Sequence, residues 1–335
     1  QRIFLFVMQK EAYVKVAQMV APRQIEIIDI HPPDISSEPA GTVLIKTHRS
    51  AICGTDMPLF VQDRPASDYP LGLGLSIHEC IGVIAASKSA RFKEGDEILA
   101  LPRGSGGLAE YFLSHESVTV PLTKYDRKDC ILMSQPLGTV IWACRKLGNL
   151  LNQDTVVVGQ GPMGLLMTHT LSNLGAKTII ATDPIDYRLA VSKQMRATHT
   201  INAAEVDGVA VVQEITNGRM ADVVVEMVGH QTETINQCLN LVKRGGTILA
   251  FGVPDAPVYN FHFGDFFRKN IHFIGSVGPD VQNDFPLAMD MISQGRIDVS
   301  PIITHHLPFT AVQRGFELSL HKKDRAIKIV LEYDN

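Results

Sequence analysis

The 335-residue chain has one tryptophan, and its five cysteines, Cys53, Cys80, Cys130, Cys144 and Cys238, contain no C-x-x-C pair. An odd, scattered set supports neither a disulfide framework nor a four-cysteine zinc clip, and a reducing cytoplasm is the expected location. No apolar run reaches the roughly 18 to 20 residues of a membrane helix, so a soluble protein without a membrane partner is expected. Basic charge is not in excess either: 31 Lys+Arg stand against 35 Asp+Glu, a net charge of −4, which argues against a nucleic-acid partner. Internal repeats at solenoid spacing and low-complexity tracts are also missing. What is present is a 45% hydrophobic, 20% charged composition, enough apolar material for packed cores, at a length that suggests roughly two domains.

The two parts of the chain carry different patterns. Short β-branched or alternating segments fill the first 140 or so residues: Tyr13 to Val20, Gln24 to Ile30, Thr42 to His48, Cys80 to Ala86 and Glu97 to Leu101. Proline and glycine punctuate them, as in Pro32-Pro33 and Gly104 to Gly107, and the rhythm suggests a small, partly open barrel. A further strand is expected over Ile3 to Met8, which is too short for a signal segment and runs into Lys10 and Glu11. From Asp154 strands and helices alternate, with strands at Thr155 to Val158, Lys177 to Ala181, Asp222 to Glu226, Thr247 to Phe251 and Ile271 to Ile274. That alternation implies a parallel, doubly wound α/β sheet. Short strands and one amphipathic helix near Ala311 to Leu320 close the chain.

The strand at Thr155 to Val158 runs into Gly159-Gln-Gly161-Pro162-Met163-Gly164, which opens a helix. Glycines there allow a tight turn, close approach of backbone to a pyrophosphate and close helix packing, while the helix N-terminus offers free N–H groups. Asp183 follows 19 residues after the last glycine, at the end of the next strand, where an acidic residue accepts hydrogen bonds from the adenosine ribose. NAD is therefore expected over NADP, with Arg188 close enough to leave some NADP use open. A plain helix cap at Asp183 is the competing explanation.

A second cluster is Cys53-Gly54-Thr55-Asp56 after a strand, with His78-Glu79 25 residues later at the head of another. Thiolate, imidazole and carboxylate form a borderline-soft set suited to Zn²⁺, and three protein ligands with one open position suit a catalytic ion. Spacing alone fits an ordinary buried cysteine beside a capping His-Glu pair equally well.

The order of these motifs resembles the zinc-dependent medium-chain dehydrogenase/reductase superfamily, especially its polyol, sugar and threonine dehydrogenase branch. The likeness runs from about Met8 onward. It includes the C-G-T-D turn, His78-Glu79, Gly95-Asp96, Gly107-Leu-Ala-Glu-Tyr111, Pro136-Leu137, the glycine fingerprint and Gly245-Gly246. The resemblance implies a GroES-like β-barrel catalytic domain over residues 1–138, completed by 277–335, a Rossmann domain over 139–276, and an active site in the cleft between them. It makes Cys53 and His78 zinc ligands, Glu79 a residue that ligates or orients the metal, and Thr55 the acceptor of the substrate's proton. Zinc would then act as a Lewis acid on a secondary alcohol of a polyol, sugar or similar small metabolite, and hydride would pass to nicotinamide. A homodimer or homotetramer is implied as well.

The chain departs from the family pattern at several places. Gln135 stands where a zinc-side glutamate is common, so Cys53, His78 and Glu79 with water are the expected ligand set, with Gln135 nearby or as a weak ligand. Ile77 replaces a glycine before His78, with a shifted local backbone expected, and Pro58 replaces a relay histidine. Between Asp96 and Gly107 no cysteines occur, so one catalytic zinc and no structural zinc is expected. Two rival readings remain at this point: a zinc-free NADPH quinone or enoyl reductase, and a dinucleotide-binding protein that has lost catalysis.

Overall fold

The computed structural model describes residues 13–229 and 233–334; the strand expected at Ile3 to Met8 lies outside them. Strands β1 (Val14–Ala21) and β2 (Gln24–Ile30) form an antiparallel hairpin. The 11-residue β3 (Thr42–Ile52) is buried along most of both faces. It is followed by α1 (Met57–Val61), β4 (Glu79–Ser87), β5 (Glu97–Ala100), β6 (Tyr111–His115), β7 (Thr119–Pro121) and α2 (Lys128–Leu132). Neither β6 nor β7 is foreseen from the sequence, because five and three residues are too few for a two-residue period to register.

Helix α3 (Ser134–Cys144) opens the second part. Pro136 and Leu137 lie within it. In a first helical turn the missing proline N–H has no intrahelical acceptor to lose. Then come β8 (Asp154–Val158), α4 (Pro162–Asn173), β9 (Thr178–Asp183), α5 (Asp186–Gln194), β10 (His199–Asn202) and α6 (Gly208–Ile215). The series continues with β11 (Ala221–Glu226), α7 (Glu233–Leu241), β12 (Val242–Ala250), α8 (Phe263–Lys269) and β13 (His272–Gly275). The six strands form one parallel sheet in the order β10-β9-β8-β11-β12-β13. Strand order changes direction between β8 and β11, and their Val-rich cores are covered on both faces, as expected of a doubly wound sheet. The unforeseen β10 is a polar four-residue edge strand.

The last elements are α9 (Val281–Ser293), β14 (Ile303–Pro308), α10 (Val312–His321) and β15 (Lys328–Glu332). Both terminal strands rejoin the first sheet, whose order is β14-β15-β3-β4-β5-β7 with β6 on β3. Two compact units result: one holds the chain up to Gln135, Val281–Ser293 and the stretch from Ile303 onward, the other Pro136–Asp280 and Gln294–Ile302. The first unit's core gathers Ile45, Ile77, Phe60, Phe316 and Ile329, and the second's gathers Val156, Ile180, Val224, Leu239 and Ile248. Each such fully buried apolar side chain stabilises its unit by about 1.5–3 kcal/mol. No helix among the described residues is long and apolar enough to cross a membrane.

One consequence of the register fixes the chemistry. Strand β3 is flanked by β4 and β15, with Ala51 opposite Glu79 and Ile52 opposite Ile329. The end of β3, the start of β4 and the start of β15 therefore meet at one point.

Candidate metal centre and dinucleotide turn

Cys53 is the first residue past β3 and heads a single 3₁₀ turn, Gly54–Asp56. The Asp56 carboxylate turns back to accept the Cys53 N–H at 2.7 Å, which locks the turn. His78 and Glu79 arrive at the head of β4. The ligand atoms of Cys53, His78 and Glu79 lie within 4.8 Å of one another. Cys53 and Glu79 are buried, whereas the His78 side chain is 28% exposed, so the cluster opens on the imidazole side. Thr55 is exposed and stands two residues past Cys53 in the same turn. A thiol from the end of β3 and an imidazole and a carboxylate from the head of β4 converge as a set that fits the borderline-soft Zn²⁺.

Electrostatics at the cluster bring in two residues that sequence reading overlooked. Both oxygens of Glu79 are held by the ammonium of Lys328, at 2.7 and 2.8 Å, and both side chains are fully buried. Lys328 Nζ also donates to the Ile52 carbonyl at 3.2 Å, beside Cys53. Burial works to lower the Lys328 pKa, but the charges of Glu79 and Cys53 outweigh it and hold the ammonium form. Burial pushes the Cys53 thiol up, against the pull of Lys328, so a bound cation is what would secure the thiolate. The second residue is Asp56, whose carboxylate lies 3.9 Å from His78 Nδ1. Burial, with the Cys53 sulfur adding, raises its pKa to about 8, and His78 draws it back.

Other parts of the expected set fall as follows. Gln135 is buried in the first turn of α3, in the same unit as the cluster. Ile77 packs wholly inside the barrel core, and its carbonyl accepts the Gly107 N–H at 3.0 Å. Pro58 is the second residue of α1, where its ring suits the first helical turn. Between β5 and β6 the chain makes only a short turn around Arg103–Ser105. All five cysteines are buried, and none is in a disulfide.

In the second unit β8 runs into Gly159, at φ +94°, and Gly161 caps α4 with Pro162 in its first turn. A Cβ on Gly164 would collide with the Gly159 carbonyl, so helix and turn approach as only glycine allows. A Cβ on Gly161 would meet nothing within 4 Å. Open space therefore faces the free N–H groups of α4, as a pyrophosphate requires. Pro162 and Met163 line that turn half-buried. Asp183 ends β9 and is buried; its two oxygens accept the Gln160 N–H at 2.8 Å and the Ile185 N–H at 2.9 Å. The carboxylate thus ties the glycine turn to β9 and shapes the entry to α5, leaving lone pairs on each oxygen. Arg188 reaches within 3.8 Å of Asp183, and its Nε is buried without a hydrogen-bond partner among the described residues.

Residues 39–124 match the model of the alcohol dehydrogenase GroES-like domain, and residues 162–294 match that of the zinc-binding dehydrogenases. The L-threonine 3-dehydrogenase of Chromobacterium violaceum is 26% identical over 95% of this chain and 98% of its own length. The sorbitol dehydrogenase of Bacillus subtilis is 27% identical over 95% and 97%. Among solved structures, an oxidoreductase/dehydrogenase of unknown specificity from Escherichia coli superposes with a TM-score of 0.84 at 26% identity, covering 96% of this chain and all of that one. The chain belongs to the zinc-type medium-chain dehydrogenase superfamily. Its class of activity is NAD(P)-dependent alcohol dehydrogenation, with zinc and a nicotinamide cofactor.

Proposed function

We propose that this enzyme oxidises a secondary alcohol of a polyol, sugar or similar small metabolite with NAD, using a single zinc ion at Cys53 and His78. The observation that carries this reading is the Cys53, His78 and Glu79 cluster, closed on one side by Lys328 and open at the imidazole. A zinc ion held there would supply Lewis acidity toward an alcohol oxygen, and a nicotinamide cofactor would supply the hydride acceptor. Cys53 and His78 would hold the ion, with Glu79, its charge balanced by Lys328, the third side chain of the cluster. Asp56 stands 3.9 Å from His78 Nδ1 and locks the turn that carries Cys53. Thr55 takes the hydroxyl proton and, being exposed, passes it to solvent. The test is zinc analysis of the purified protein together with a polyol and secondary-alcohol panel run with NAD and NADP in parallel. About one zinc per chain with NADH formation is expected. Turnover of quinones or enoyl substrates by zinc-free protein would favour the rival reductase, and bound zinc and NAD with no turnover a catalytically lost protein.

Cofactor choice is assigned to Asp183, whose buried carboxylate at the end of β9 would repel a 2′-phosphate brought beside it. Asp183→Ala leaves the half-buried Arg188 guanidinium without its acidic neighbour. The ratio of kcat/KM with NADP to that with NAD is expected to rise about tenfold, an electrostatic change of about 1.4 kcal/mol. An unchanged ratio would rule Asp183 out as the selector. We also infer a homo-oligomer, from the edge strand β13, whose exposed Phe273 packs on Phe266 of α8, the helix that also exposes Phe263 and Phe267. Light scattering should give a mass of two or four chains, and a monomer at all concentrations would overturn it.

A further inference from the structure

Glu226, the last residue of β11, is buried at 4% exposure and stands at the C-terminal end of the sheet beside β8. Its Oε1 accepts three hydrogen bonds: from the backbone N–H of Val228 at 3.0 Å, from that of Gly229 at 3.0 Å, and from the Thr234 hydroxyl in the first turn of α7 at 2.8 Å. Its Oε2 lies against Gly252, where any Cβ would collide with it, so the segment leaving β12 packs directly on the carboxylate. The N–H groups of Phe251 and Gly252 donate to the Glu226 carbonyl at 3.1 Å. On the other side, the Val228 side chain presses on the glycine turn after β8; a Cβ on Gly159 would come within 2.7 Å of it. One buried side chain thus links the chain leaving β11 to the segments that leave β12 and β8.

This is the crevice where strand order reverses, and nucleotides bind in such crevices at the carboxyl ends of the strands. All three donors to Glu226 are neutral, and burying an anion on neutral donors costs more than filling the same space with an apolar side chain. What the carboxylate supplies is a fixed position for two consecutive N–H groups and hence for the Val228 side chain against the glycine turn. We propose that Glu226 is a positioning residue for the dinucleotide: it holds the Met227–Gly229 turn as one wall of the cofactor crevice, opposite the glycine turn. The inference rests on the dinucleotide-binding reading and adds a residue to it. Glu226 touches no reacting atom in this assignment; it acts through the turn.

The experiment is an NADH fluorescence titration of the zinc-loaded full chain, with steady-state kinetics alongside. Glu226→Leu, which keeps the bulk but removes the acceptor, is expected to raise the NADH dissociation constant and the KM for NAD about tenfold, with kcat at saturating NAD changed by no more than about twofold. Glu226→Gln, which retains an acceptor oxygen, should recover most of the affinity. If the leucine variant does not fold, Thr234→Val removes one donor and should raise the dissociation constant by about threefold. Unchanged NADH affinity in a folded variant, with only a lower melting temperature, assigns Glu226 a purely structural role and overturns the proposal. Wild-type protein that binds neither NADH nor NADPH overturns the dinucleotide reading itself, a result distinct from the first.

Discussion

Cys53→Ser is expected to strip the metal and the activity together while leaving the fold and NADH binding in place. Serine has nearly the shape of cysteine, and the hydrogen bond that locks the Gly54–Asp56 turn uses the Cys53 backbone N–H, which the substitution keeps. Zinc affinity behaves otherwise. The ion needs an anionic ligand; a thiolate is soft and readily formed on the metal, whereas an alkoxide is neither. With Glu79 engaged on both oxygens by Lys328, no free carboxylate stands ready in the cluster to replace the lost charge. Metal analysis should find under about a tenth of a zinc per chain, and alcohol oxidation should fall by about 10³-fold or more, since Lewis-acid stabilisation is worth several kcal/mol. NADH affinity should stay within about twofold, because the glycine turn and Asp183 belong to the other compact unit. Retention of full zinc in the serine variant would show that the ion is held by other residues.

The parts of this site differ in how far the sequence discloses them, and the difference follows from sequence separation. Gly159 to Gly164 and Asp183 are legible because a strand, a turn, a helix and a second strand form one local unit whose geometry sets the spacing. Cys53, Thr55, His78 and Glu79 are individually ambiguous; only their order among other motifs brings them forward. Asp56 had a visible signal, since an acidic residue three after a turn-forming position is a capping arrangement, and the structure uses it so. Lys328 had almost none. It lies 249 residues from Glu79, and the two meet only because β15 returns to pair with β3 beside β4. Its single local trace is a charged residue in the otherwise apolar run from Ala326 to Leu331, in a strand with both neighbours and Lys328 itself buried. A buried lysine demands an acid partner, but local periodicity cannot say which one. Strands β6, β7 and β10 went unforeseen for a related reason: pairing with longer neighbours, and not their own composition, makes them strands.

Lys328→Met tests that long-range pair. Methionine fills a similar volume, but it leaves the Glu79 carboxylate fully buried with no cation on either oxygen. Removing one member of a buried pair typically costs about 3–5 kcal/mol, mostly the penalty of the stranded charge. For a unit of this size that corresponds to a melting temperature lower by on the order of 10 °C, read in excess chelator. Zinc should restore part of the loss, since a carboxylate released from Lys328 lies within ligand distance of Cys53 and His78 and can join them on the ion. The variant's thermal midpoint is therefore expected to respond more steeply to zinc than that of the wild type. Combining it with Glu79→Gln removes the charge as well as its partner, so the double variant should melt above Lys328→Met alone. If the two single changes instead add, with no coupling between them, the pair contributes nothing beyond packing, and the closed, charge-balanced side of the metal cluster loses its physical basis.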